Sequence, residues 1–120
     1  MSELLENYIL SDGEIISLVL SLYYEFAGGS LNRQATIELK IRRRLSKIKW
    51  VPCQLQLKFQ QLRQIKITED FSSTSYSDIV LKQMPDTTWY LSLDPYGNTD
   101  EPHELDNLVI IADLLIIKEL

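Results

Sequence analysis

Two stretches of strict alternation limit what this chain can become. Ala35, Ile37, Leu39 and Ile41 are separated by Thr36, Glu38, Lys40 and Arg42, and Cys53, Leu55, Leu57 and Phe59 by Gln54, Gln56 and Lys58. A period of two places one set of side chains on each face of a β-strand, so each stretch predicts a strand with one apolar and one polar face. The first stretch has a helical rival, because Ile37, Ile41, Leu45 and Ile48 share a helical stripe and Glu38 lies four residues before Arg42. The strand is preferred: Leu39 falls off that stripe, and Thr36, Ile37 and Ile41 are β-branched. Ser46-Lys47 is the turn between the two strands. Trp50, Val51 and Pro52 lead into the second, and Pro52 suits an edge or a strand start.

The same period recurs elsewhere. From Glu14 to Tyr24, Ile16, Leu18, Leu20, Leu22 and Tyr24 alternate with Ile15, Ser17, Val19, Ser21 and Tyr23, predicting a strand central in its sheet. A turn at Ser11-Asp12-Gly13 precedes it. Upstream, Leu4, Leu5, Tyr8 and Ile9 at helical spacing behind Ser2 suggest a short N-terminal helix over residues 3–9. A loop with Gly28 and Gly29 follows the first strand. Leu62, Ile65 and Ile67 mark a further strand, with a bulge near Gln60 and Gln61. Residues 68–78 are serine-rich and read as a loop, and residues 78–84 as a short strand ending at Pro85-Asp86. Trp89, Leu91 and Leu93 face one way on the next strand while Tyr90, Ser92 and Asp94 face the other. Leu108 to Ile111 and Leu114 to Ile117 are apolar enough to be buried on both faces, with a bulge at Ala112-Asp113. The expected architecture is one all-β domain over residues 1–120, with a minor α part. It is an antiparallel sandwich or partly rolled sheet of about seven or eight strands.

Charge is segregated along the chain. Residues 33–66 hold ten of the twelve cations against Glu38 alone, a balance of +9; the other two cations face sixteen acids elsewhere, −14, for the net −5. Opposite charges on neighbouring strands would compensate one another, and a basic face opposed to an acidic one is the sharper alternative. No apolar run approaches the roughly 20 residues that span a bilayer, and acids stand where a signal peptide carries Lys or Arg, so no membrane contact and a cytoplasmic location are expected. The single cysteine, Cys53, fits that location and falls on the apolar face, where it reads as core.

Candidate functional residues fall into two groups. The first is the acidic segment after the Trp89 strand: Asp94, Tyr96, Asp100, Glu101, His103, Glu104 and Asp106, surrounding the only histidine. A histidine among carboxylates could act as a general base or help hold a divalent cation, which makes a metal-assisted hydrolase around His103 one alternative. The spacing matches no EF-hand, zincin or zinc-finger pattern, and no serine lies in a nucleophile elbow, so neither a catalytic set, a metal nor a cofactor is expected. The second group is Lys40, Arg42, Arg44, Lys49 and Trp50, cations beside an aromatic as in single-strand nucleic-acid platforms. A pI near 4.8 argues against nucleic acid as the main ligand.

The segment Trp89-Tyr90-Leu91-Ser92-Leu93-Asp94-Pro95-Tyr96, its acidic spacer and the run Asn107 to Ala112 resemble small bacterial β-rich proteins of unknown function. Some of these are similar to immunity proteins of polymorphic toxin systems. The likeness extends to Asp12-Gly13-Glu14-Ile15-Ile16-Ser17 and to Trp50-Val51-Pro52-Cys53-Gln54-Leu55. It implies a compact β domain that acts through a binding surface and supplies no catalytic residue. The expectation is a non-enzymatic interaction domain, an immunity-type inhibitor that meets a basic protein partner through the acidic loop, as a monomer or as a homodimer across a free strand edge.

Overall fold

A computed structural model describes residues 6–22, 33–68, 79–97 and 101–120. These form six strands: β1 (Tyr8–Ser21), β2 (Gln34–Arg44), β3 (Trp50–Lys66), β4 (Val80–Gln83), β5 (Trp89–Asp94) and β6 (Asn107–Glu119). All neighbours are antiparallel in one sheet of order β1-β2-β3-β6-β5-β4. The all-β expectation and the hairpin of β2 with β3 are met. A short turn joins these two strands, with Leu45 N–H donating to the Lys49 carbonyl at 2.8 Å.

The sheet count differs from a sandwich for a physical reason. Ile37 and Leu39 of β2 and Leu91 and Leu93 of β5 belong to one core cluster, although β3 and β6 lie between them in the sheet. Those two intervening strands separate β2 from β5 by roughly 14 Å along the sheet. Ile37, Leu39, Leu91 and Leu93 are almost wholly buried although the described strands form one sheet with no second layer, so the sheet rolls, barrel-like, and buries its concave face on itself. Phe59, Leu55, Leu57 and Ile110 complete the centre of that face.

Six strands lie among the described residues, and two predicted pairs of strands are each continuous. The stretches at 53–59 and 62–67 are one strand, β3, which absorbs its irregularity at Gln61 (φ 56°) and in a register shift between Leu62 and Gln64. Likewise 108–111 and 114–117 are both β6; the bulge lies on the β3 side of that pairing and not at Ala112-Asp113. The first half of β6 buries Val109, Ile110 and Ala112, whereas Leu114 and Ile116 are exposed. Burial on both faces thus holds for half of the strand.

Three expectations for the N-terminal region are corrected. Among the described residues there is no helix: Glu6-Asn7 form a turn, Tyr8 and Ile9 begin β1, and positions 3–5 lie outside the described residues. β1 is an edge strand, not a central one. Ser11-Asp12-Gly13 is no chain reversal but an insertion within β1, where the five steps from Ile9 to Glu14 oppose the two from Arg42 to Lys40. Gly13 is needed there, since a Cβ would come within 2.9 Å of Ile41 Cγ2 and 3.0 Å of the Leu10 carbonyl oxygen. A second shift, between Ile15 and Ser17, reverses the faces, so Ile15 packs on the core while Ile16 is exposed. Such interruptions also blunt a free edge.

Pro52 stands in a central strand, but β6 begins to pair with β3 only at Leu55. Pro52 therefore has one neighbouring strand, an edge in all but name. The Gly28-Gly29 loop and most of the 68–78 loop lie outside the described residues. No helix among the described residues is long and apolar enough to cross a membrane.

Candidate functional site

β5 alternates as the sequence implies, with Trp89, Leu91 and Leu93 on the concave face and Tyr90 and Ser92 on the convex one. All five are nevertheless buried. The convex side is covered because the chain after Asp94 folds back over it. Val80, Tyr90 and Val109 form a second small apolar cluster there, with Met84 and Ile111 against it.

Asp106 holds this return segment in place. Its side chain is 1% exposed, and its carboxylate accepts hydrogen bonds from Tyr90 Oη (2.5 Å), the Tyr96 amide (2.7 Å) and the His103 amide (3.0 Å). Burial alone would raise its pKa, but the Tyr90 hydroxyl and the two amides outweigh that and hold the carboxyl below the usual range. The Tyr90 phenol moves the other way, raised by burial and then by its bond to Asp106. Around them, Asp106 N–H donates to the His103 carbonyl (3.0 Å) and Leu105 N–H to His103 Nδ1 (3.0 Å). In that second bond Nδ1 is the acceptor. The His103 and Tyr96 ring centroids lie 4.6 Å apart, the rings tilted by 31°.

The segment is tied down from below as well. Lys82 Nζ pairs with Glu101 at 2.5 Å, and Lys66 Nζ donates to the Glu104 carbonyl at 2.5 Å. The Asn107 side-chain amide donates to the Thr68 carbonyl (2.8 Å) and accepts from the Thr68 amide (2.6 Å), prolonging the β3–β6 ladder by imitating a peptide group. Next to it Leu108 has φ 51°, a left-handed conformation that branched residues rarely adopt, at the junction of loop and strand.

The acidic candidates therefore separate. Tyr96, Glu101, His103 and Glu104 are exposed, Asp94 is half-buried, and Asp100 lies outside the described residues. Asp106, read from the sequence as part of a solvated recognition loop, is instead the internal post on which that loop is hung. Tyr90, Lys66, Lys82 and the exposed Leu105 belong to the arrangement and were not singled out. Tyr90 and Asp106 lie sixteen positions apart, so no local spacing announces their bond. Among the described residues, no three His, Cys, Asp or Glu side chains converge to hold a metal ion.

The basic candidates lie elsewhere. Lys40, Arg42 and Arg44 project from the exposed face of β2, the Arg44 guanidinium rests 5.0 Å from the centre of the Trp50 ring, and Lys49 is exposed in the adjoining turn. The structure brings this set together. Trp50 opens β3 and Lys66, under the acidic loop, closes it. The two charged regions thus lie at opposite ends of a strand on the order of 50 Å long. Cys53 is half-buried near the basic end, and its thiol is pushed up by burial and then by Glu119, which keeps it protonated rather than nucleophilic.

No protein-family model, curated protein or solved structure matches the chain.

Proposed function

We propose that the chain is a protein-recognition domain and that residues 95–97 and 101–106, after β5, form its contact element. One observation carries this: Tyr96 and His103, whose exposed rings are in contact, with Leu105 also exposed, have their backbone amides held from inside by the buried Asp106. Exposed aromatic residues on a preformed scaffold supply contact area at little ordering cost, and tyrosine is prominent among the residues that dominate interface energies. Glu104 is exposed in the same segment, Glu101 is exposed there and paired with Lys82, and Asp94 ends β5 before it, so the partner it suits is a basic protein surface, with the acids steering approach and selecting partners. Binding rather than catalysis is the role, and an immunity-type inhibitor is the form of it that the sequence resemblance implies.

The test is affinity capture at low salt from the protein's own cell, using the wild type, Tyr96→Ala, and Glu101→Lys/Glu104→Lys as baits. A basic protein retained by the wild type and lost from both variants supports the reading, most strongly if a neighbouring gene encodes it. Equal retention by all three baits, or nothing retained by the wild type, contradicts it.

A further inference from the structure

The basic end offers a second surface that the recognition loop does not use. Lys40, Arg42 and Arg44 occupy alternate positions of β2, all exposed, so their charges recur at about 6.8 Å along one face of that strand. That repeat is on the scale of the spacing between successive phosphates in an extended single strand. Trp50, paired with Arg44 across the β2–β3 ladder, is half-exposed beside the last cation, and Lys58 continues the same convex face on β3. Arg43 points the opposite way and is neutralised by Glu119 at 2.9 Å.

Among the described residues the acids on this face are Glu14, opposite Lys40 on β1, and Glu38, which is half-buried with Gln54 Nε2 at 3.5 Å. Among the described residues no carboxylate lies within ion-pair distance of Lys40, Arg42 or Arg44, whereas Arg43, Arg63 and Lys82 are each paired. Three adjacent unpaired cations in a chain of net charge −5 repel one another, and an anionic ligand relieves that repulsion. The acidic loop lies several Debye lengths away, each about 8 Å at physiological salt, and does not cancel the local field.

We infer that this stripe binds single-stranded nucleic acid. The backbone phosphates run along Lys40, Arg42 and Arg44, and one base stacks on Trp50 where Arg44 rests in the free chain. The evenly repeating cations with an aromatic in line favour this ligand over an acidic protein surface.

Fluorescence anisotropy of the full chain with a labelled mixed-sequence DNA 12-mer tests it. Saturable binding at low salt is expected, with log affinity falling against log salt at a slope of roughly −2 for three phosphates. Arg42→Gln and Arg44→Gln should each flatten that slope, and Trp50→Leu should weaken binding at least roughly fivefold through lost stacking. Circular dichroism should give unchanged folding for the two exposed arginine variants. Tyr96→Ala should leave oligonucleotide binding unaltered, which separates this surface from the recognition loop. No anisotropy change at low salt, unaltered binding by the arginine variants, or equally effective competition by duplex DNA or polyglutamate would overturn the inference.

Discussion

Tyr90 on β5 and Asp106 at the foot of β6 are joined by a 2.5 Å hydrogen bond beneath the loop that connects them, and neither group faces solvent. The loop is therefore folded around its own buried carboxylate. Its exposed rings and acids are held in position rather than ordered on contact.

Removing the phenol hydroxyl tests that bond directly. Tyr90→Phe keeps the ring in its apolar cluster but withdraws one of three donors from a buried carboxylate, so it should cost about 1–3 kcal/mol. Urea unfolding should give a lower midpoint with an unchanged m-value.

The same pair sets the pH limits of stability. Asp106 has a folded pKa below its unfolded value, so its contribution is complete above the ordinary carboxylate pKa of 3.8 and is lost as pH falls through the depressed folded value. Tyr90 has a folded pKa raised above its ordinary 10.0, so its contribution is complete below pH 10 and is lost as pH rises through the raised value. Melting temperatures should fall at both extremes. In Asp106→Asn the acid-side loss should shrink, so the wild-type and variant curves converge at low pH.

Glycines 13 and 97 should respond differently to alanine. At Gly13 the new Cβ meets Ile41 and two carbonyl oxygens inside the β1 insertion, so Gly13→Ala should destabilise by about 1–3 kcal/mol through overpacking. At Gly97 nothing lies within 4 Å, and only the φ of +76° resists, so Gly97→Ala should cost roughly 1–2 kcal/mol. Thermal denaturation of the two variants gives the comparison. Ile41→Ala removes the Cγ2 that the new Cβ meets, so its own cost should be smaller in the Gly13→Ala background than in the wild type and unchanged in the Gly97→Ala background.

Much of the sheet was legible because alternation is a local property. β2, β3 and β5 present Ile37, Leu57 and Leu91 inward as their spacing requires. What was hidden depends on register. The inserted residues in β1 bury Ile15 in place of Ile16, because only the partner strand's positions reveal an extra residue, whereas the irregularity of β3 lies where Gln60 and Gln61 break the alternation and lets one strand span what reads as two. Tyr90 had the correct parity and an unexpected environment: it faces outward, and the loop then covers it. The basic cluster could be read directly, since Lys40, Arg42 and Arg44 share parity on one strand. The role of Asp106 could not, because its three donors come from positions 90, 96 and 103.

Loop order can be observed without any partner. In the wild type the amides of Tyr96 and His103 should exchange slowly for a loop, since both donate to Asp106. In Asp106→Ala they should exchange faster than the β2 and β3 amides of the same variant. Equal rates at these two amides before and after the substitution would show that the carboxylate does not hold the loop.

The most direct test of the recognition role is calorimetric titration of the captured partner into the wild type and into Tyr96→Ala. Tyr96 is exposed, so the variant should melt with the wild type, yet its Kd should be at least roughly tenfold weaker if the ring anchors the interface. Equal affinity at equal stability would contradict the assignment of residues 95–97 and 101–106 as the contact element.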